Sequence, residues 1–338
     1  MMKAVHISGK GKVSLLKKEK PIPQKGEVLL KIRYVGFCGS DLNTFLGNNP
    51  MVKLPVIPGH EIGAIVEEVT DGVPDVIKKG MACTVNPYTH CGYCSSCRNG
   101  RSNACRYNQT LGVQRDGAMC EYLVVPWEKV IAGEGIDVHT LALVEPMSVG
   151  FHAVSRAEIA DTDTVMVIGC GMVGMGAVVR SVIRGARVIA VDVDDEKLKI
   201  AKILGAEYGI NSKTENVHDR LSEITQNMGA DVIVEAVGSP VTYRMAVDEV
   251  AFTGRVICIG YAKSEVAFET KYFVSKELDI RGSRNALPED FRAVMQYFKR
   301  NDISETFISA VYPPERACEA LEYWATNPGK VFRILIEF

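Results

Sequence analysis

Residues 165–174 read Val165-Met166-Val167-Ile168-Gly169-Cys170-Gly171-Met172-Val173-Gly174, and this stretch limits the folds open to the chain more than any other. A continuous apolar run rich in β-branched residues suits a strand buried on both faces. The spacing Gly169-x-Gly171-x-x-Gly174 then predicts a tight turn into a helix running to residue 183. Gly169 permits the turn, Gly171 lets a pyrophosphate approach the backbone, and Gly174 lets the helix pack closely on its strand. Met172 and Val173 fall at the helix N-terminus, which would hold the phosphates.

The motif alone is weak, because glycine-rich turns are common, but its context strengthens it. After Gly185 a second apolar strand over residues 186–191 ends at Asp192, where an acidic residue accepts hydrogen bonds from a ribose 2′-OH. That carboxylate would repel a 2′-phosphate and no arginine follows it directly, so NAD is expected rather than NADP. Lys197 could approach the adenosine ribose from the next helix. The other reading of Asp192 is an N-cap for a helix over residues 194–204. Apolar strands ending in Gly238 and Gly260 continue the alternation, and a nicotinamide would lie where they close, at the carboxyl edge of the sheet. The expected class is α/β, with a doubly wound parallel sheet.

At 338 residues the chain has room for two domains of roughly 100–200 residues each. A net charge of −2 gives no sequence-wide pull toward nucleic acid or anionic membranes. No apolar run reaches the ~18 residues of a membrane span, and the first residues lack a signal-peptide core, so a cytoplasmic protein is expected. The ten cysteines are partly clustered, which in such a chain points to metal rather than disulfides.

Before the nucleotide motif the chain is β-rich and crossed by prolines, with a strand expected over residues 27–35. Cys38, in Gly36-Phe37-Cys38-Gly39-Ser40-Asp41, and the pair His60-Glu61 offer sulfur, nitrogen and oxygen. A mixed set with one position left for water or substrate is how a catalytic zinc is held, whereas a structural site closes all four positions. Taken singly, Cys38 also reads as a small buried hydrophobe and His60 as a loop histidine.

Cys91, Cys94, Cys97 and Cys105 give C-x2-C-x2-C-x7-C, a spacing that wraps four thiolates around one structural Zn²⁺. An iron–sulfur ligand set is the competing reading. A nucleic-acid zinc ribbon is disfavoured, since residues 88–114 carry three arginines and no lysine. Cys83, Cys120, Cys170, Cys258 and Cys318 read as buried hydrophobes. Residues 112–126 read as further strand, with a turn at Asp116-Gly117. Glu145 stands in an apolar segment just before the nucleotide-binding unit and needs a partner: a helix end, an arginine, or a metal or substrate. His152 is expected to pack structurally. A helix is expected over residues 288–300, and a short apolar terminal strand over 331–338 could return to the first domain.

These motifs together resemble the zinc-dependent medium-chain alcohol and polyol dehydrogenases along almost the whole chain. The resemblance implies a GroES-like β-barrel catalytic domain over residues 1–148, with a structural zinc lobe at 88–106. A Rossmann coenzyme domain follows over 149–284, and residues 285–338 return to the first domain. It also implies two zinc ions per chain and NAD. Glu145, where simpler alcohol dehydrogenases carry cysteine, is similar to the sorbitol and threonine dehydrogenase branch. The stretch Gly282-Ser283-Arg284-Asn285-Ala286, with Pro288-Glu289-Asp290-Phe291, is most similar to L-galactonate oxidoreductases.

By that resemblance Cys38, His60 and Glu61 hold the catalytic zinc, with Glu145 on the metal, its water or the substrate. Ser40 passes on the substrate proton. Three positions depart from the family: Asn43 for a proton-relay histidine, Ala64 for glycine, and Met81 for aspartate. Asparagine cannot take up that proton.

The expected activity is reversible oxidation of a secondary alcohol on a polyhydroxylated small molecule, a sugar acid such as L-galactonate. Asn48, Glu145, Arg284 and Asn285 are the candidate substrate contacts; the Arg284 guanidinium matches a carboxylate, an ion pair with Glu145 being the other reading of that arginine. Polyol, polyol-phosphate or L-threonine dehydrogenases are alternatives within the class. A non-catalytic nucleotide-binding relative is the alternative outside it. The family forms dimers or tetramers, so a homo-oligomer is expected.

Overall fold

The computed structural model describes residues 1–338. The chain folds into two compact units, Met1–Glu145 with Leu287–Phe338, and Pro146–Ala286.

The second unit is built on six parallel strands in the order Tyr208–Asn211, Arg187–Asp192, Thr164–Ile168, Ala230–Glu235, Val250–Cys258 and Asp279–Gly282. Val165, Met166 and Val167 at its centre are fully buried, as a strand covered by helices on both faces requires. The strand order reverses beside Thr164–Ile168, and that is where open α/β sheets place ligands. The turn expected at Gly169 is present with φ 93°. The helix that follows is Met172–Ile183, and a Cβ at Gly174 would stand 1.7 Å from the Gly169 carbonyl oxygen. Only glycine fits there.

The first unit carries a seven-stranded, mostly antiparallel sheet. Its main path runs Ile308–Tyr312, Arg333–Glu337, Glu27–Gly36, Glu61–Val69, Ala82–Val85 and Val130–Ala132, and Tyr122–Pro126 adds to Glu27–Gly36. Met2–Gly9 and Lys12–Lys18 form a separate hairpin. The terminal strand Arg333–Glu337 pairs with Glu27–Gly36 and so closes the first unit with residues from the far end of the chain. No helix is long and apolar enough to cross a membrane.

Three details differ from the sequence expectations. Of residues 112–126 only Tyr122–Pro126 is strand. The segment before it folds over the His60 loop instead, with Gly117 N–H donating to Ile57 O (2.7 Å), Ala118 N–H to Gly59 O (2.9 Å) and Met119 N–H to Pro58 O (3.0 Å). Its backbone hydrogen bonds are satisfied by a loop, so no ladder is needed. The helix after Asp192 is Asp195–Ile203, and its cap is Asp194, whose carboxylate accepts from the Glu196 and Lys197 amides. Cys83, Cys120 and Cys170 are buried as expected, whereas Cys258 and Cys318 are partly exposed.

Candidate metal centres and coenzyme site

Strand pairing assembles the mixed ligand set. Gly36, the last residue of its strand, pairs with Glu61, the first of the neighbouring antiparallel strand. Cys38 and His60, just outside those ends, are therefore carried to the same edge of the sheet. Ligand atoms of Cys38, His60 and Glu61 lie within 4.8 Å of one another. Gly36 makes this possible by close approach. A Cβ there would stand 2.2 Å from Glu61 Oε2 and 3.3 Å from Arg333 Cδ.

The surroundings are buried and rich in anionic groups. His60 is 5% and Glu61 0% exposed. Arg333 Nε lies 3.0 Å from Glu61 Oε2, while Arg333 Nη1 donates to Phe37 O at 2.7 Å. The Arg333–Glu61 contact is one of charge only, since neither atom has hydrogen-bond geometry. Asp41, three residues into the helix Gly39–Phe45, accepts from the Cys38 amide at 2.9 Å.

Burial raises the Glu61 carboxyl to about 7, with Arg333 pulling it down and Glu145 pushing it up. Burial also raises Asp41. For His60, burial opposes the charge, but Cys38, Glu145 and Asp41 outweigh it and lift the imidazole well above its ordinary value. Acidic groups at Cys38, Asp41 and Glu61 thus share this pocket with the Arg333 guanidinium and the His60 imidazole. His60 Nδ1, both Glu61 oxygens, Asp41 Oδ1 and Ser40 Oγ are buried without a hydrogen-bond partner. Buried anionic groups left so are costly, and a divalent cation of zinc's preference for S, N and O ligands fits the set.

Glu145 is not one of the three grouped residues. It lies in the first turn of the helix Val144–Ala157, 4% exposed, and its Oε1 accepts a hydrogen bond from the Tyr88 hydroxyl. His152, on the same helix, is buried. Ser40 stands in the helix begun after Cys38, and Asn43 donates from Nδ2 to Gly39 O at 2.8 Å. Asn48 is exposed; its neighbour Asn49 is the one that donates to Ser40 O.

The four cysteines form a second centre. Their sulfurs lie within 4.8 Å of one another, with Cys94–Cys97 at 3.5 Å, Cys94–Cys105 at 3.8 Å and Cys91–Cys97 at 4.0 Å. Tetrahedral Zn–S bonds of about 2.3 Å require S···S separations of roughly 3.8 Å, so the lobe fits zinc with all positions closed. Backbone amides of Cys94, Cys91 and Tyr107 donate to these sulfurs at 3.3 Å. The Ser96 hydroxyl beside Cys94 helps hold that thiol down to about 5.

In the second unit, Asp192 accepts from the amides of Cys170 (2.6 Å), Val193 (2.8 Å) and Asp194 (3.1 Å). A carboxylate has about four acceptor sites, which leaves room for one ribose hydroxyl. Lys197 is buried on the following helix, and Met172 and Val173 begin the helix after the glycine turn. Gly238 and Gly260 follow the ends of the strands Ala230–Glu235 and Val250–Cys258. Arg284 is exposed and Asn285 half-buried with φ 54°, both just past the strand Asp279–Gly282.

Sequence reasoning gave no role to Asp41, Tyr88 or Arg333. The Cys38-x-x-Asp41 spacing at a helix start signals a side chain reaching back to the cap amide. An arginine inside the apolar run Phe332-Arg333-Ile334-Leu335-Ile336 signals a buried partner. For Tyr88 no local signal exists.

Known proteins resemble this chain along most of its length. Residues 24–135 match the alcohol dehydrogenase GroES-like domain, and residues 173–300 match the zinc-binding dehydrogenase family. An uncharacterized zinc-type alcohol dehydrogenase-like protein of Haemophilus influenzae is 34% identical over 86% of both chains. L-galactonate-5-dehydrogenase of Escherichia coli K12 is 32% identical over 95% of this chain and 94% of its own. The crystal structure of the rspB alcohol dehydrogenase of Escherichia coli CFT073, complexed with NADH, superposes with a TM-score of 0.92 at 27% identity, covering 100% of this chain and 99% of that one. With both domain models matched in order and relatives above 30% identity over most of its length, the chain belongs to the zinc-binding, medium-chain alcohol and polyol dehydrogenases.

Proposed function

We propose that this protein oxidises, reversibly, a secondary alcohol of a polyhydroxylated sugar acid such as L-galactonate, with NAD as hydride acceptor. The observation that carries the reading is the Cys38–His60–Glu61 set, with His60 and Glu61 buried and their polar atoms unpartnered. Zinc held by these residues, with Glu145 on the metal, its water or the substrate, would supply Lewis-acid polarisation of the substrate hydroxyl. NAD, with its phosphates at the Gly169–Gly174 turn and its ribose on Asp192, would supply the hydride acceptor.

The remaining work falls to the chain's own groups. Ser40 Oγ, buried and without a partner, receives the substrate hydroxyl proton as it releases its own. Asn43 offers no titratable atom, and its amide already serves Gly39 O, so the proton leaves through water, Glu61 or Glu145. Arg284, with Asn285 and Asn48, would orient the substrate, and a planar guanidinium suits a carboxylate. The similarity to L-galactonate-5-dehydrogenase supports this substrate class.

The test is zinc content together with NAD⁺ reduction, before and after chelation, over hexonates, the matching alditols, alditol phosphates and threonine. Two zinc ions per chain and chelator-sensitive turnover of hexonates above the other classes is the expected result. One zinc with no turnover of any compound would replace the reading with a non-catalytic nucleotide-binding role. Equal rates on a hexonate and its alditol would remove the part assigned to Arg284.

A further inference from the structure

Tyr88 is fixed from four sides. It is 4% exposed, its amide donates to Asn86 Oδ1 at 3.1 Å, and its carbonyl accepts from Lys129 Nζ at 2.6 Å. Its ring meets that of Phe291 edge-on, with centroids 6.3 Å apart and planes at 71°. The fourth anchor is the hydroxyl, which donates to Glu145 Oε1.

Packing accounts for the ring but not for the hydroxyl, since a buried phenol and a buried carboxylate each cost free energy unless they meet. In this pair the phenol is the donor and the carboxylate the acceptor. Glu145 is the residue read above as lying on the metal, its water or the substrate, and the Tyr88 hydroxyl is what holds its carboxylate.

We propose that Tyr88 is a positioning residue for this metal centre: its hydroxyl fixes the orientation of the Glu145 carboxylate. The affinity and coordination of a divalent ion bound there then depend on that hydroxyl. The inference rests on the reading of the set as a zinc site. Hydrogen-bond partners behind a metal site typically change metal affinity about 10–100-fold when removed.

Tyr88→Phe keeps the ring, the Phe291 contact and both backbone hydrogen bonds, and removes only the O–H. The full chain, stripped of metal, is titrated with Co²⁺ and followed in the visible spectrum. The four-thiolate lobe and the one-thiolate set are told apart by the strength of their sulfur-to-cobalt charge transfer. The expected result is roughly tenfold or greater weakening at the mixed set in Tyr88→Phe, with altered d–d bands and an unchanged lobe. Phe291→Leu serves as a packing control, expected to lower Tm while keeping wild-type affinity and bands. A Tyr88→Phe protein with two sites of wild-type affinity and spectrum would overturn the role of Tyr88 and leave the zinc reading standing. A wild-type protein that fills only the lobe would overturn the zinc reading and this inference with it.

Discussion

The two metal centres are made in opposite ways. The cysteine lobe takes its four ligands from Cys91 to Cys105, and neighbouring backbone amides point at the sulfurs. The Cys38–His60–Glu61 set is assembled by strand pairing, and its countercharge, Arg333, arrives on a strand from the far end of the chain. A local site needs only turns, whereas a topological one needs the whole first unit in place. The lobe should therefore tolerate damage elsewhere, and the mixed set should not.

The largest effect should come from Arg333→Ala, which leaves Glu61 buried without its partner. Breaking such a pair costs about 3–5 kcal/mol, measured as loss of stability in denaturant on the metal-free protein. The lobe should still bind one zinc. A variant as stable as the parent would mean that the pair is not what supports the set.

A reciprocal change is Cys105→Ser in the lobe. Zinc content should fall from two ions to one and stability by roughly 1–3 kcal/mol, while the mixed set still takes up metal. If both metals were lost together, the two centres would be coupled and the contrast between them broken.

The smallest effect concerns proton exit, for which the lobe has no counterpart. Asn43→His should raise turnover or move the pH–rate profile below neutrality. It costs Gly39 O one side-chain donor, so the change in stability should stay within about 0.5–1.5 kcal/mol. An identical pH profile would argue against proton transfer along this helix.

How much of this was legible beforehand follows the same division. The lobe could be read from spacing, because its geometry is local. The parallel sheet could be read from runs such as Val165 to Ile168, because burial on both faces leaves an uninterrupted apolar signature. Cys38, His60 and Glu61 could be named as a mixed sulfur, nitrogen and oxygen set from residue type, but not their meeting, since nothing in a linear sequence shows that Gly36 will pair with Glu61. Arg333 left a trace as a charge in an apolar strand, but its partner was not nameable. Tyr88 left none: Asn86-Pro87-Tyr88 reads as an ordinary approach to the lobe, and its meaning depends on a glutamate 57 residues away. The segment before Tyr122 reads as strand in the sequence, while its hydrogen bonds belong to the loop carrying His60.

The hydrogen bond between Arg333 and Phe37 spans 296 residues. Synthesis at about 5–20 residues per second puts roughly 15–60 s between the appearance of those two groups. The cysteine lobe emerges early in that interval with every ligand it needs. The mixed set must wait for the entire coenzyme unit to be made before its guanidinium arrives. During translation the lobe can thus take up its metal before the mixed set has gained its countercharge.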